Sequence, residues 1–110
     1  MSLAEKQCAP CQGGVEPMGR EQAQRYLEQV PQWALDETGT RIRREFKFKN
    51  FVHANEFVDK IGEVAEREGH HPDIHFGYGY AAVDIQTHKI GGLHENDFIL
   101  AAKIDAIGPQ

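Results

Sequence analysis

Residues 50–78 read NFVHANEFVDKIGEVAEREGHHPDIHFGY, and the hydrophobic period changes once along them. Phe51, Ala54, Phe57, Val58, Ile61, Val64 and Ala65 recur at helical spacing and make one continuous apolar stripe. Glu56, Asp59, Lys60, Glu63 and Arg67 fall outward or to the sides. Asn50 is a residue type that caps a helix N-terminus by accepting a backbone N–H bond. Gly69 suits the left-handed position that ends a helix. His70 and His71 follow at once, Pro72 stiffens the chain, and Ile74-His75-Phe76-Gly77-Tyr78 alternates as a strand does. A long helix, an abrupt stop and a strand are therefore joined at a pair of histidines.

Toward the C-terminus, Ala81, Val83 and Ile85 alternate with Ala82, Asp84 and Gln86, a second strand that leads into Thr87-His88. Lys89 to Leu93 reads as a loop. A helix is expected from about Asn96 to Ile107, with Leu100, Ala101, Ile104 and Ile107 on one stripe and Gly108-Pro109 ending it. Phe98 and Ile99 widen that stripe beyond one face, which suggests a subunit contact. Toward the N-terminus, Ala23, Tyr26, Leu27 and Val30 mark a helix over residues 20–30, stopped by Pro31. Residues 33–36 and 41–49 then form a hairpin around the turn residues Glu37-Thr38-Gly39-Thr40. Arg44 is the one exception to the alternation of the second strand. Its remaining charges, Arg41, Arg43, Glu45, Lys47 and Lys49, read as a solvated sheet face in preference to an anion-binding patch. Helix, two strands, helix, two strands, helix is an α+β order: a single domain with a four-stranded, mainly antiparallel sheet and three helices packed on one face.

At 110 residues with 40% hydrophobic and 26% charged side chains, the chain is long enough for one cored domain. A formal net charge of −5 argues against nucleic acid or an anionic membrane surface as a partner. No apolar run approaches the roughly 18 residues that span a bilayer, and the N-terminus has no signal-peptide core, so a cytoplasmic setting is expected. Residues 1–16 read as a flexible tail carrying Cys8-Ala9-Pro10-Cys11, with the domain proper at 17–110. No second cysteine pair completes a four-thiolate zinc site, and no strand precedes the motif as in a redox fold.

The chemistry-bearing residues gather near the helix stop. Imidazole has an ordinary pKa of about 6.5 and so exchanges protons near neutrality. His70 and His71 leave the helix end, and His88 ends a strand that can return beside them. Glu66 lies in the last turn of the helix, where the dipole disfavours a carboxylate, a hint of function. His53 and His94 need no explanation beyond a structural one, and His75 is ambiguous. Three histidines and a carboxylate can also bind zinc. Yet no histidine pair is spaced four apart on a helix and adjacent histidines diverge, so metal ranks below proton transfer.

Glu66, His70-His71-Pro72, Tyr78, His88 and Asp97 stand at separations that match the signature of the pterin-4a-carbinolamine dehydratases. The resemblance spans about residues 17–108, including Trp33, Phe46-Lys47-Phe48, Thr87-His88 and Gly92-Leu93 before Asn96-Asp97. It implies the same α+β fold and a lyase that dehydrates a 4a-hydroxytetrahydropterin to the quinonoid dihydropterin, as in tetrahydrobiopterin recycling. No electrons move in that reaction, so it implies neither redox cofactor nor metal. By resemblance His71 and His88 are the acid and base, and His70 positions the hydroxyl. Glu66 and Asp97 orient or tune the histidines, Pro72 and Thr87 line the pocket, and Trp33 packs near it. The partners implied are a pterin and further copies of the chain, as a homodimer or homotetramer. One departure is Gly69, where animal members often carry an acidic residue. The alternative on the same fold is a non-catalytic interaction or assembly protein, a coactivator-like dimerisation module.

Overall fold

The computed structural model describes residues 2–9 and 15–108. Asn50 accepts the His53 N–H at 2.9 Å and opens an 18-residue helix, Phe51–Glu68 (α2, the second of three α-helices among the described residues). Gly69 at φ 66° turns the chain out of it, a backbone any side chain would strain. The chain then enters a strand, Asp73–Gly77 (β3), and returns along Tyr80–Ile85 (β4). Upstream lie α1 (Arg20–Leu27), β1 (Ala34–Leu35) and β2 (Ile42–Lys47), and downstream α3 (Glu95–Ile107). The strands form one antiparallel sheet in the order β1-β2-β4-β3, as expected for the α+β class. Asp36 holds the β1–β2 turn by accepting the Thr38 hydroxyl at 2.8 Å and the Thr40 and Arg41 N–H groups at 3.0 and 3.2 Å; burial raises its pKa, but these bonds together with the Arg41 charge outweigh it and lower the pKa.

The register puts Ile42, Phe46, Ala81, Val83 and Ile85 on the helix-facing side, where they are buried with Phe57 and Ile61 of α2 and Leu100 and Ile104 of α3. Arg44 shares that side. Its guanidinium lies 4.2 Å from the Phe46 ring centre and donates to Asp105 of α3 at 2.6 Å. The apparent break in the alternation is thus an ion pair tucked between sheet and helix. The opposite face keeps its charges in water, with Arg43 paired to Asp84 at 3.2 Å and Lys47 to Glu45.

Two expectations need correction. Phe98 and Ile99 are 0% and 1% exposed within the single chain, so they are no subunit contact. Phe98 stacks on Tyr26 at 5.0 Å, and residues 3–5 pack against α3. A helix whose apolar residues spread beyond one stripe is one that is covered from more than one side. The covering segment is the second correction, because residues 2–9 are docked and not loose. Leu3 is buried in the core, Lys6 pairs with Glu95 at 2.8 Å, and Lys103 donates to the Ala4 carbonyl at 2.9 Å. Cys11 and Pro10 lie outside the described residues. No helix among the described residues is long and apolar enough to cross a membrane.

Candidate active site

The helix stop at Gly69 sends the paired histidines in opposite directions. His70 turns inward and its Nε2 meets Asp97 Oδ1 at 2.6 Å. His71 turns outward and back, and its Nε2 meets Glu66 Oε2 at 2.5 Å. The carboxylate that the α2 dipole disfavours is therefore engaged by the histidine just past the helix end.

Asp97 is 0% exposed and anchors the inner half of the site. It sits in the first turn of α3, where negative charge is favoured, and its Oδ2 accepts the His94 N–H at 2.9 Å. The same oxygen accepts the Thr87 hydroxyl at 2.8 Å. A carboxylate only accepts, so His70 Nε2 carries a proton toward it. His70 Nδ1 has no partner among the described residues, and no buried side-chain nitrogen or oxygen lacks one. Nδ1 is therefore the edge of the ring that reaches the surface.

Thr87 is followed by His88 in a short 3₁₀ turn, and His88 Nε2 stands 3.7 Å from Asp73 Oδ2. The sheet register explains this pairing: Asp73 opens β3 opposite Asp84 of β4, three residues before Thr87. A closed circuit results. It runs from His70 to Asp97, to Thr87, along the chain to His88, across to Asp73, and back through Pro72 and His71 to His70. His70 and His71 thus precede the β3 start, His88 follows the β4 end, and Asp97 stands at the α3 N-terminus.

The rim of this circuit is open in the single chain. The side chains of His71 and His88 are 58% and 67% exposed. A cleft of about 400 Å³ lies elsewhere, against the N-terminal half of α2. Trp33 is also away from the rim, contrary to expectation. It is buried against Phe46 and donates from Nε1 to Asp105 at 2.9 Å. Asp105 is eight residues along α3 from Asp97, about 12 Å. The rung Ala34–Arg43–Asp84–Asp73 separates β1 from β3 by three strand spacings, about 14 Å. Tyr78 is in the β3–β4 turn, at the other end of β3. Asp73 is the rim residue that sequence reading missed; the acid directly after Pro72 was its only signal.

His53 and His94 are structural, as expected: His53 bonds Asn50 Oδ1 at 2.8 Å, and His94 caps α3. Cys8 Sγ donates to the Asn96 carbonyl at 3.6 Å. Burial, aided by Glu68, pushes its thiol up to about 12, which makes it a packing group and not a nucleophile. Among the described residues no three His, Cys, Asp or Glu side chains are placed to hold a metal ion.

Residues 16–107 match the family described as Pterin 4 alpha carbinolamine dehydratase. The chain belongs to this family. A Halorhodospira halophila protein named "Putative pterin-4-alpha-carbinolamine dehydratase" is 65% identical over 98% of this chain and 99% of its own. A Methylococcus capsulatus protein of the same name is 53% identical over 99% and 96%. Among solved structures, a transcriptional coactivator/pterin dehydratase from Brucella melitensis superposes with a TM-score of 0.80 at 29% identity, over 86% of this chain and all of that one. A pterin dehydratase-like protein identified as a RuBisCO assembly factor shares the dehydratase-family fold at a TM-score of 0.60 and 24% identity, over 68% and 87%.

Proposed function

We propose that the chain removes water from a 4a-hydroxytetrahydropterin to give the quinonoid dihydropterin. The observation that carries the proposal is the circuit linking His70, Asp97, Thr87, His88, Asp73 and His71, in which each of the three imidazoles lies beside a carboxylate. In the reaction the C4a–O bond breaks and the hydroxyl leaves as water with a proton from an acid. A base takes the proton of the neighbouring ring nitrogen, and a C=N bond forms. The proton count closes with two imidazoles near neutral pH.

His71 and His88 fill these roles in our reading, because their rings are the accessible ones. His70, held by the buried Asp97, offers Nδ1 to position the hydroxyl. Glu66 and Asp73 orient His71 and His88, while Thr87 and Pro72 support the rim. Copies of the chain assemble as a homodimer or homotetramer, consistent with an edge strand at β3 and with exposed Phe51, Val52 and Tyr78. Those apolar residues equally favour a second reading, a non-catalytic interaction or assembly protein.

Stopped-flow absorbance with enzymatically generated 4a-hydroxytetrahydropterin separates the two. Dehydration well above the spontaneous rate, cut by about 10²–10⁴-fold in His71→Ala and in His88→Ala, is the expected result. Dehydration at the spontaneous rate with the wild-type chain would leave only the interaction reading.

A further inference from the structure

The N-terminal end of α2, away from the paired histidines, carries a concave site. A cleft of about 400 Å³ opens between the C-terminal end of β2, the N-terminal half of α2 and the end of α3. That volume is within the range of small-molecule sites, roughly 300–1,000 Å³. Its floor is apolar: Phe48 and Phe57, whose ring centres are 5.1 Å apart, and Ile107. Its rim is basic, with Lys47, Lys49 and Lys60 against a single carboxylate, Glu56.

The sheet-face charges of β2 explain which cations are available. Arg41, Arg43 and Lys47 are each matched to a carboxylate within 4.0 Å. Lys49 and Lys60 have no such partner among the described residues, although the chain as a whole carries a net charge of −5. The backbone adds charge of the same sign. The N-terminus of α2 is a positive pole that acidic residues ordinarily balance, but its first turn contains none and Lys49 precedes its cap. Positive charge at the edge of an apolar floor suits an anion that carries an apolar body.

We propose that this cleft binds a small aromatic carboxylate, its ring on Phe48 and Phe57 and its charge between Lys49 and Lys60. It is distinct from the histidine rim, since His53 and Glu66 stand thirteen residues apart on α2, about 20 Å. The inference does not depend on the reaction proposed above.

The test is titration of the intact protein with 1-naphthoate, followed by amide ¹H–¹⁵N shifts, with 1-naphthalenemethanol as the neutral counterpart. Saturable shifts should centre on residues 47–57 and 107. Binding should weaken by about tenfold or more for the alcohol and for Lys49→Gln/Lys60→Gln, the loss of one charge-assisted contact. Glu56→Gln should tighten it, and added salt should weaken it. Both lysines are exposed, so the double variant keeps its fold, which circular dichroism checks. Shifts centred on His71 and His88, equal affinity for the alcohol, wild-type binding by the double variant, or no saturation at millimolar naphthoate would each overturn the proposal.

Discussion

Replacing Asp97 by Asn probes the inner half of the rim with almost no change of shape. Asp97 Oδ2 receives two donors, the His94 N–H and the Thr87 hydroxyl, while Oδ1 faces His70 Nε2 at 2.6 Å. In the variant the amide oxygen must take the Oδ2 position, because an NH₂ there would oppose a main-chain N–H. The amide nitrogen then faces His70 Nε2 and can only donate. His70 must give up its Nε2 proton and carry one on Nδ1, so the ring edge that reaches the surface changes from acceptor to donor. Charge-assisted bonds to a buried acceptor become neutral ones, and the wild-type carboxylate's desolvation cost is relieved at the same time. The net loss expected is about 1–3 kcal/mol. In urea this appears as a midpoint lower by roughly 1 M. Turnover should fall by about 10²-fold, the cost of a mis-set positioning group. Imidazole ¹⁵N shifts of His70 identify the protonated nitrogen directly. An Asp97→Asn variant whose His70 keeps its proton on Nε2, or one with the inverted ring and full turnover, would refute the reasoning.

Other consequences concern the rim's supports and the N-terminal segment. A Cβ at Gly92 would lie 2.5 Å from Pro17 Cβ, so Gly92→Ala must push that rigid ring away; overpacking of this kind costs about 1–3 kcal/mol, read from thermal or urea unfolding. The hydrogen bond from Lys6, and its charge, hold the Glu95 carboxyl below its ordinary 4.5. A depressed carboxyl stabilises above its unfolded pKa and loses that contribution as pH falls through the folded one. Protection factors of the amides at residues 3–9, corrected for the intrinsic pH dependence of exchange, should therefore fall below about pH 4.5, and Glu95→Gln should remove this effect. Cys8, raised from 9.0 to about 12, should carry roughly 10³-fold less thiolate at pH 8 than an unperturbed thiol. Iodoacetamide labelling in a Cys11→Ser background should be slower in proportion, and rapid labelling would contradict the docked segment.

Local signals carried much of the fold. The apolar stripe of α2, the Asn50 cap and the Gly69 stop each depend on neighbours within a few residues, and all three stand as read. Signals that depend on distant partners were less legible. Arg44 looked like noise because its partner, Asp105, is on another element. Phe98 and Ile99 looked like an interface because the segment around Leu3 has no periodicity to announce that it covers α3. At the site, the spacing from Glu66 to Asp97 named residues that the fold joins in pairs, His70 with Asp97 and His71 with Glu66. It said nothing of Asp73, whose place beside His88 comes from the β3–β4 register. Trp33 was misplaced for the same reason, since β1 lies across the width of the sheet from β3. Nor could spacing tell an open rim from an enclosed pocket.

The central claim is that imidazoles held on one rim move the protons that release water. Stopped-flow turnover of 4a-hydroxytetrahydropterin by a folded His71→Ala/His88→Ala double variant tests it most directly. The account predicts a rate indistinguishable from spontaneous dehydration; a double variant that turns over like the wild type would contradict it.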